Sequence, residues 1–378
     1  MSTSTAALRT GVTWWRVLFV TSAALLVLAL VCFAFGQAPL VVLERAYAGT
    51  WGTPYGIGQV MFKATPLLFC GLAFHVAFRA GLFNIGAEGQ LALASLAAAW
   101  VASKLPASVP AVLALPATLA VAMLVGGGYA AIAGVLRARF GVHEIIAGIM
   151  LNRSADVLLP WVLAAGLGAD SMRSADIAPG ARLPRLDFIP GLHGSAASLA
   201  FPLAVLSAFG LYFWLDRTRP GREMRWIGLG PDACLAQGVE VPRRRIEAMC
   251  LSGAIAALGV TGTVLGYKGY YELGLGSGAG FSGIAVAMLG RAHPVALVGA
   301  ALLFGTLAQA GLAVNAAVPK EAMAVLEALV ILLVAGSAHG DRARRARPDG
   351  ARPPAPDAPA EPLPDAPAER GRSPEATP

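Results

Sequence analysis

The sequence predicts an all-α, polytopic membrane protein with about ten transmembrane helices. Three observations predict it. Hydrophobic residues make up 56% of the 378-residue chain, and charged residues only 13%. Mean hydropathy is +0.64. Apolar runs recur along the chain at bilayer-spanning length, and short arginine-rich stretches separate some of them. A soluble domain carries about a quarter charged residues and could not hide this much apolar surface, so lipid is the solvent for most of the chain.

The first 16 residues form a short polar lead with Arg9 and Arg16, read as a cytoplasmic N-terminus. The apolar run behind them resembles a signal peptide, but no small-residue cleavage site follows and further spans do, so it reads as an uncleaved first helix. A span needs about 20 apolar residues. Runs of that kind lie near 17–36, 58–78, 86–103, 109–136, 143–166, 197–215, 247–266, 279–291, 294–313 and 321–337. The segments near 86 and 279 are short and glycine-rich, as in broken or re-entrant helices. Residues 17–337 thus make one transmembrane domain, with 167–196 as its longest periplasmic loop. Residues 338–378 are rich in Pro, Ala, Asp, Glu and Arg and poor in large apolar side chains, the composition of a disordered tail.

Arginine placement sets the orientation. The loop 216–246 holds Arg217, Arg219, Arg222, Arg225, Arg243, Arg244 and Arg245, and the tail holds Arg342, Arg344, Arg345 and Arg347. These, with Arg137 and Arg139, fall on one side if both termini are cytoplasmic. Lys63, Lys104, Lys268 and Lys320 lie near the other side and weaken the bias without reversing it. The predicted location is the bacterial inner membrane.

The net charge of +7 has no basic stripe interleaved with aromatics, which argues against nucleic-acid binding. Cys32, Cys70, Cys234 and Cys250 show neither disulfide nor zinc spacing. GAGFSG at 278–283 matches GxGxxG, but it opens a membrane segment rather than a βαβ unit, so its glycines read as close-packing positions, as Gly276 and Gly280 in GxxxG spacing would be. No GxxxxGK[ST], HExxH or GxSxG occurs, so any ATP used is bound by another chain, and neither a cofactor nor a catalytic residue is called for.

A weak internal echo runs through the chain. A helix beginning near 58 leads to GLFNIG at 81–86 and a small-residue apolar run, and a helix beginning near 247 leads to GLGSGAGFSG at 274–283 and another such run. The two units enter from opposite sides, as in an inverted-topology repeat, although ordinary small-residue packing explains part of the likeness.

Polar residues at membrane depth cost several kcal/mol unless paired or hydrated, on the order of 2.5–3.5 kcal/mol for a charge on insertion scales. Asn84, Glu88, Gln90, Glu144 and Asn152, with Phe281, are therefore candidates for a substrate pathway or its gate. The structural alternative has Glu88 and Glu144 pairing with Arg79 and Arg153, or capping helix starts. In the basic loop, Pro231 and Asp232 signal a helix start and Gly238 a plausible stop, giving a short helix of about two turns whose candidate docking residues are Pro231, Asp232, Ala233, Leu235, Ala236, Gly238 and Val239. That short helix suits docking into the groove of a soluble partner.

These segments resemble a known family. GLFNIGAEGQ at 81–90, EIIAGIMLN at 144–152 and FSGIAVAMLGRAHP at 281–294 are similar to ABC-transporter permeases of the branched-chain amino-acid/simple-sugar superfamily. The first stretch is similar to the nucleoside-type subgroup that works with basic-membrane-protein-like binding lipoproteins. LSGAIAALG at 251–259 and AALLFG at 300–305 match too, and the resemblance spans roughly 17–337. It implies two inverted bundles related by a pseudo-twofold, as in the cobalamin importer. It also implies a cassette ATPase, a paralogous second permease in a heterodimer, and a periplasmic substrate-binding protein. The 231–241 stretch then corresponds to the ATPase coupling helix, and transport runs by alternating access. Pro231 stands where the pattern usually has Asn, Cys234 where Ala is common, and His143 where Asn usually precedes Glu144. Nucleosides or purine-like compounds are the implied substrates, with riboflavin-like compounds or simple sugars as alternatives. An ion-coupled secondary transporter is the rival from another class, and the docking loop and the lack of mid-helix acids argue against it.

Overall fold

A computed structural model describes residues 14–166, 172–290 and 293–319, with isolated positions up to 329. The predicted tail 338–378 and nearly all of the last predicted span, 321–337, lie outside the described residues, as does most of the N-terminal lead. The described residues form helices and connecting loops, with two isolated β-bridges and no extended strand.

Among the described residues, twelve α-helices run in chain order: α1 (Trp14–Ala34), α2 (Pro39–Ala48), α3 (Pro54–Arg79), α4 (Ala87–Lys104), α5 (Ala111–Phe140), α6 (Glu144–Trp161), α7 (Ala200–Arg217), α8 (Arg219–Leu229), α9 (Pro231–Ala236), α10 (Val241–Ala257), α11 (Ala279–Leu289) and α12 (Ala296–Ala313). Wider π-helical turns extend α6 over Val162–Gly166 and lie beyond α10 at Thr261–Lys268. Among the described residues, five spans are long and apolar enough to cross a bilayer: Pro54–Arg79, Ala111–Phe140, Glu144–Ala165, Val241–Lys268 and Ala296–Ala313. Leu25–Ala34 and Pro39–Ala48, bent by 110° at the intervening turn, make a sixth if they cross together. The chain is a multi-pass membrane protein on that count. The segments predicted near 86, 197 and 279 are helical as α4, α7 and α11, but α4 and α7, at 18 residues, are not apolar enough for a full crossing, and α11 is apolar but too short.

Local signals explain the boundaries. The Thr53 hydroxyl accepts a hydrogen bond from the Gly56 N–H at 3.1 Å and Pro54 supplies a preset φ, so α3 starts there. Gly81, at φ 71°, turns the chain after Arg79. Thr218 caps α8 in the same way through Gly221, and Pro231 opens α9.

α3 and α10 form the centre. In Pro54–Arg79 and in Val241–Lys268, which joins α10 to the π-helical turn, 83% of an 18-residue apolar stretch is buried, against 28–39% for Ala111–Phe140, Glu144–Ala165 and Ala296–Ala313. Lipid-facing helices bury one side only, whereas a helix apolar all round belongs inside. The two central elements run antiparallel: Ser252 bonds to Ala73 and Gly262 approaches Thr65, so the register rises on one as it falls on the other. α5 packs closely on α10 because Gly126 and Gly253 face each other, and a Cβ on either would collide with the other's backbone. α11 and α12 cover the opposite flank of α3.

Candidate functional site

The predicted polar residues collect where α4 and α11 begin. Gly283 on α11 lies against Cys70 and Gly71, close to the middle of α3. Asn84 shares Ser252 with the Ala73 carbonyl, less than two helical turns inward from the end of α3. The 81–86 stretch therefore dips back into the bundle before α4 starts.

Asn84, Gln90 and Asn152 find hydrogen-bond partners, as a low-dielectric interior demands. Asn84 and Gln90, both fully buried, exchange side-chain amide bonds: Asn84 Nδ2 donates to Gln90 Oε1 at 2.8 Å, and Gln90 Nε2 donates to Asn84 Oδ1 at 2.9 Å. Asn84 Nδ2 also donates to Ser252 Oγ at 2.7 Å, and that hydroxyl donates to the Ala73 carbonyl at 2.6 Å. One hydrogen-bonded chain thus ties the re-entering loop to α4, α10 and α3. Asn152 joins α6 to the same region: its Oδ1 accepts from the Gly89 N–H at 3.0 Å and its Nδ2 donates to the Ile85 carbonyl at 2.9 Å.

The two glutamates meet other partners than Arg79 and Arg153, and Glu88 does cap a helix start. Glu144 pairs with Arg137 at 3.2 Å, not with Arg153, and accepts from the Phe83 N–H at 3.3 Å. Arg153 pairs with Asp156 one turn along α6. Glu88 meets backbone rather than a cation: Oε1 accepts from the Gly278 N–H at 2.5 Å and Oε2 from the Gly280 N–H at 2.7 Å. These are the open donors at the N-terminus of α11, where the helix dipole also favours a negative charge. The carboxylate at the start of α4 therefore caps α11, a helix 190 positions away in sequence. Gly280 must lack a side chain here, because a Cβ would strike the Glu88 backbone and carboxylate. Gly276 has a different role from the close contact expected of it. Gly274, Gly276 and Gly278 have φ of 85°, 82° and 86°, so the loop before α11 follows a path that L side chains rarely take.

That loop separates two cavities. The smaller, of about 240 Å³, is lined by Glu88, Asp156 and Tyr271 together with 273–277. The larger, of about 710 Å³, has the other side of the loop as one wall and α3, the π-helical turn and α12 as the rest. Tyr55, Gln59, Phe62, Lys63, Tyr267 and Gln309 face it. Of the six predicted pathway residues, Glu88 lines a cavity, and Asn84, Gln90, Glu144 and Asn152 are buried in the ties just described. Phe281 is 52% exposed on α11. Lys63, Gln59 and Gln309 did not stand out in the sequence. Lys63 was legible as a lysine inside an apolar run, but its position near a helix end made it read as a flank.

At the other end of the bundle, α8 and α9 stack on the entry to α10. Glu223, buried on α8, accepts from Arg219 Nε at 2.7 Å and from Arg244 Nε at 2.6 Å. The Arg219 hydrogen bond, reinforced by Arg244, holds its carboxyl below the usual glutamate range despite burial. Arg225 pairs with Asp216. Cys234 is buried with Ile227 and Val241, which seats α9 on α8 and α10. Gly238 has φ 76°, and the α9 helix ends ahead of it. Leu229 and Leu235 remain outward, 88% and 54% exposed.

The family of branched-chain amino acid transport system permease components matches residues 56–335. The chain belongs to that family. The permease is 34% identical over 313 residues to the guanosine ABC transporter permease protein NupP of Bacillus subtilis, covering 82% of this chain and 89% of that protein. It is 33% identical over 334 residues to the glucose ABC transporter permease protein TsgB13 of Haloferax volcanii, covering 85% and 87%. It is 30% identical over 319 residues to the nucleoside ABC transporter permease protein NupB of Lactococcus lactis, covering 81% and 86%. The permease is thus an ABC-transporter transport component rather than an enzyme, and the ion-coupled rival falls away. A cassette ATPase and a substrate-binding protein are its implied partners.

Proposed function

We propose that this permease is the membrane-spanning subunit of an ATP-driven importer of nucleosides or purine-like compounds. The observation that carries the reading is similarity over more than four-fifths of the chain to permeases named for guanosine and for nucleosides. Glucose, or another simple sugar, is the second reading, because a glucose permease is similar at 33% identity. Riboflavin-like compounds rank behind both.

In this reading the α1–α2 pair, α3, α4, α5, α6, α7, α10, α11, α12 and the 321–337 segment make about ten membrane segments, arranged as in the cobalamin importer. Antiparallel α3 and α10, each followed by a glycine loop and a shorter apolar helix, support the inverted repeat. The arginine-rich end with α8 and α9 faces the cytoplasm of a bacterial inner membrane, and both termini lie on that side. The outward Leu229 and Leu235 suit a groove on the ATPase, which makes α9, from Pro231 to Ala236, the coupling helix. ATP binding moves α9, the Glu223–Arg244 pair passes the motion to α10, and the Asn84–Ser252 tie carries it to the loop below Glu88. Substrate arrives from a binding lipoprotein and passes beside a paralogous second permease. Glu88 and Phe281 then act at the gate, and Asn84, Gln90, Glu144 and Asn152 hold its frame.

Uptake of labelled guanosine and labelled glucose by a deletion strain, with and without the restored gene, tests the reading. Restored guanosine uptake that competes with other nucleosides is expected. Restored glucose uptake without nucleoside uptake would replace it with the sugar reading.

A further inference from the structure

The larger cavity is chemically specific in a way the family does not dictate. Its volume of about 710 Å³ falls within the range of roughly 300–1,000 Å³ typical of small-molecule sites. Phe62 and Tyr267 stand side by side in its wall, ring centroids 4.8 Å apart and tilted by 50°, offering a face on which a planar base can stack. Lys63 follows Phe62 on α3, with its ammonium 5.6 Å from the Phe62 ring centre, and it has no carboxylate partner among the described residues. The cavity's one acidic side chain, Glu272, already pairs with Lys268 at 2.9 Å. Among the described residues, the wall therefore carries one positive charge with no anion paired to it.

Neutral hydrogen-bonding groups flank it. Gln59 lies one turn from Lys63 on the same face of α3 and makes no protein hydrogen bond among the described residues. Gln309 Nε2 donates to the Gly49 carbonyl at 3.3 Å, which leaves Oε1 open as an acceptor. The site thus offers a cationic donor, an amide of both polarities and a fixed acceptor beside two aromatic rings.

Resting on the nucleoside reading, we propose that this cavity binds the base of a 6-oxopurine nucleoside, with Lys63 donating to O6 and N7. Guanine presents two acceptors at that edge, whereas adenine places an amino donor there, which would face the ammonium donor to donor. The Gln309 oxygen and the Gln59 amide accept from the base's remaining N–H groups, and Phe62 stacks on its face.

The test measures initial uptake of labelled guanosine, inosine, adenosine and glucose by cells carrying the complete transport system. Variants are Lys63→Met, Lys63→Arg and Gln59→Leu, with membrane levels followed by immunoblot. Wild type should prefer guanosine and inosine over adenosine. Lys63→Met should lower that preference about tenfold while sparing adenosine uptake, as loss of a base-discriminating contact does. Lys63→Arg should retain it. Equal loss of guanosine and adenosine uptake in Lys63→Met at normal membrane level overturns the proposal but leaves the nucleoside reading standing. Wild-type uptake of glucose with no nucleoside uptake overturns both. If Lys63→Met fails to reach the membrane, Gln59→Leu decides: a reduced preference supports the site, and an unchanged preference overturns it.

Discussion

Replacing Glu88 by Ala removes the acceptors of two N–H groups at the start of α11, those of Gly278 and Gly280. A hydrogen bond to a charged group contributes about 1.5–3 kcal/mol, so the pair contributes on the order of 3–6 kcal/mol. The two bonds are not equally protected: the Gly280 N–H is part-buried and loses its acceptor, whereas the exposed Gly278 N–H can turn to water, so the loss falls toward the lower end of that range. Glu88→Gln keeps one acceptor oxygen and loses the charge, so it should fall about midway. The assay is the thermal unfolding midpoint of the purified transporter in detergent, read alongside uptake in cells at matched membrane levels. The expected order of stability is wild type, then Glu88→Gln, then Glu88→Ala, with uptake falling further than membrane level in both variants. Wild-type midpoints in both would refute the view that this carboxylate holds the glycine loop. Uptake and membrane level falling in parallel would make Glu88 structural only.

Gly280→Ala should destabilise by about 1–3 kcal/mol, because its methyl group meets the Glu88 backbone rather than a movable side chain, and the same unfolding measurement checks it. Glu223 is held below its ordinary range, so the stability it contributes is present above the usual glutamate pKa and is lost as pH falls through and beneath that range. Unfolding midpoints of wild type and Glu223→Gln should therefore differ at neutral pH and converge in acid, and a constant difference would count against the clamp. Leu235→Asp on α9 should leave membrane level unchanged while reducing substrate-stimulated ATP hydrolysis by the assembled transporter several-fold. Unaltered stimulation would move the docking surface elsewhere.

The helices themselves were legible to different degrees. The apolar runs near 58, 109, 143, 247 and 294 appear as the five long spans, because a run of apolar residues needs no partner to be recognised. The turns around Pro231 and Gly238 were readable for the same reason, since caps and stops are local. Two helices went unread. α2 is short and amphipathic, and α8 was hidden in what looked like a basic loop, although Thr218 followed by Pro220 was a usable start signal. Glu144 shows the limit for polar residues: Arg153 was the nearer cation along α6, yet Arg137 at the end of α5 is the one it meets.

By itself the sequence determined the membrane setting, most helix positions and the identity of the polar residues that had to find partners, since composition, run length and capping are properties of neighbouring residues. Only the tertiary structure decided which partners they found. Glu88 reaches Gly278 and Gly280, and Asn84 reaches Ser252, across 168 to 192 positions of chain. Those meetings depend on which helices pack together and at what depth they begin. The same packing turned Lys63 from an apparent flanking charge into part of a cavity wall, because a lysine's surroundings are set by the helices opposite it and not by the residues beside it.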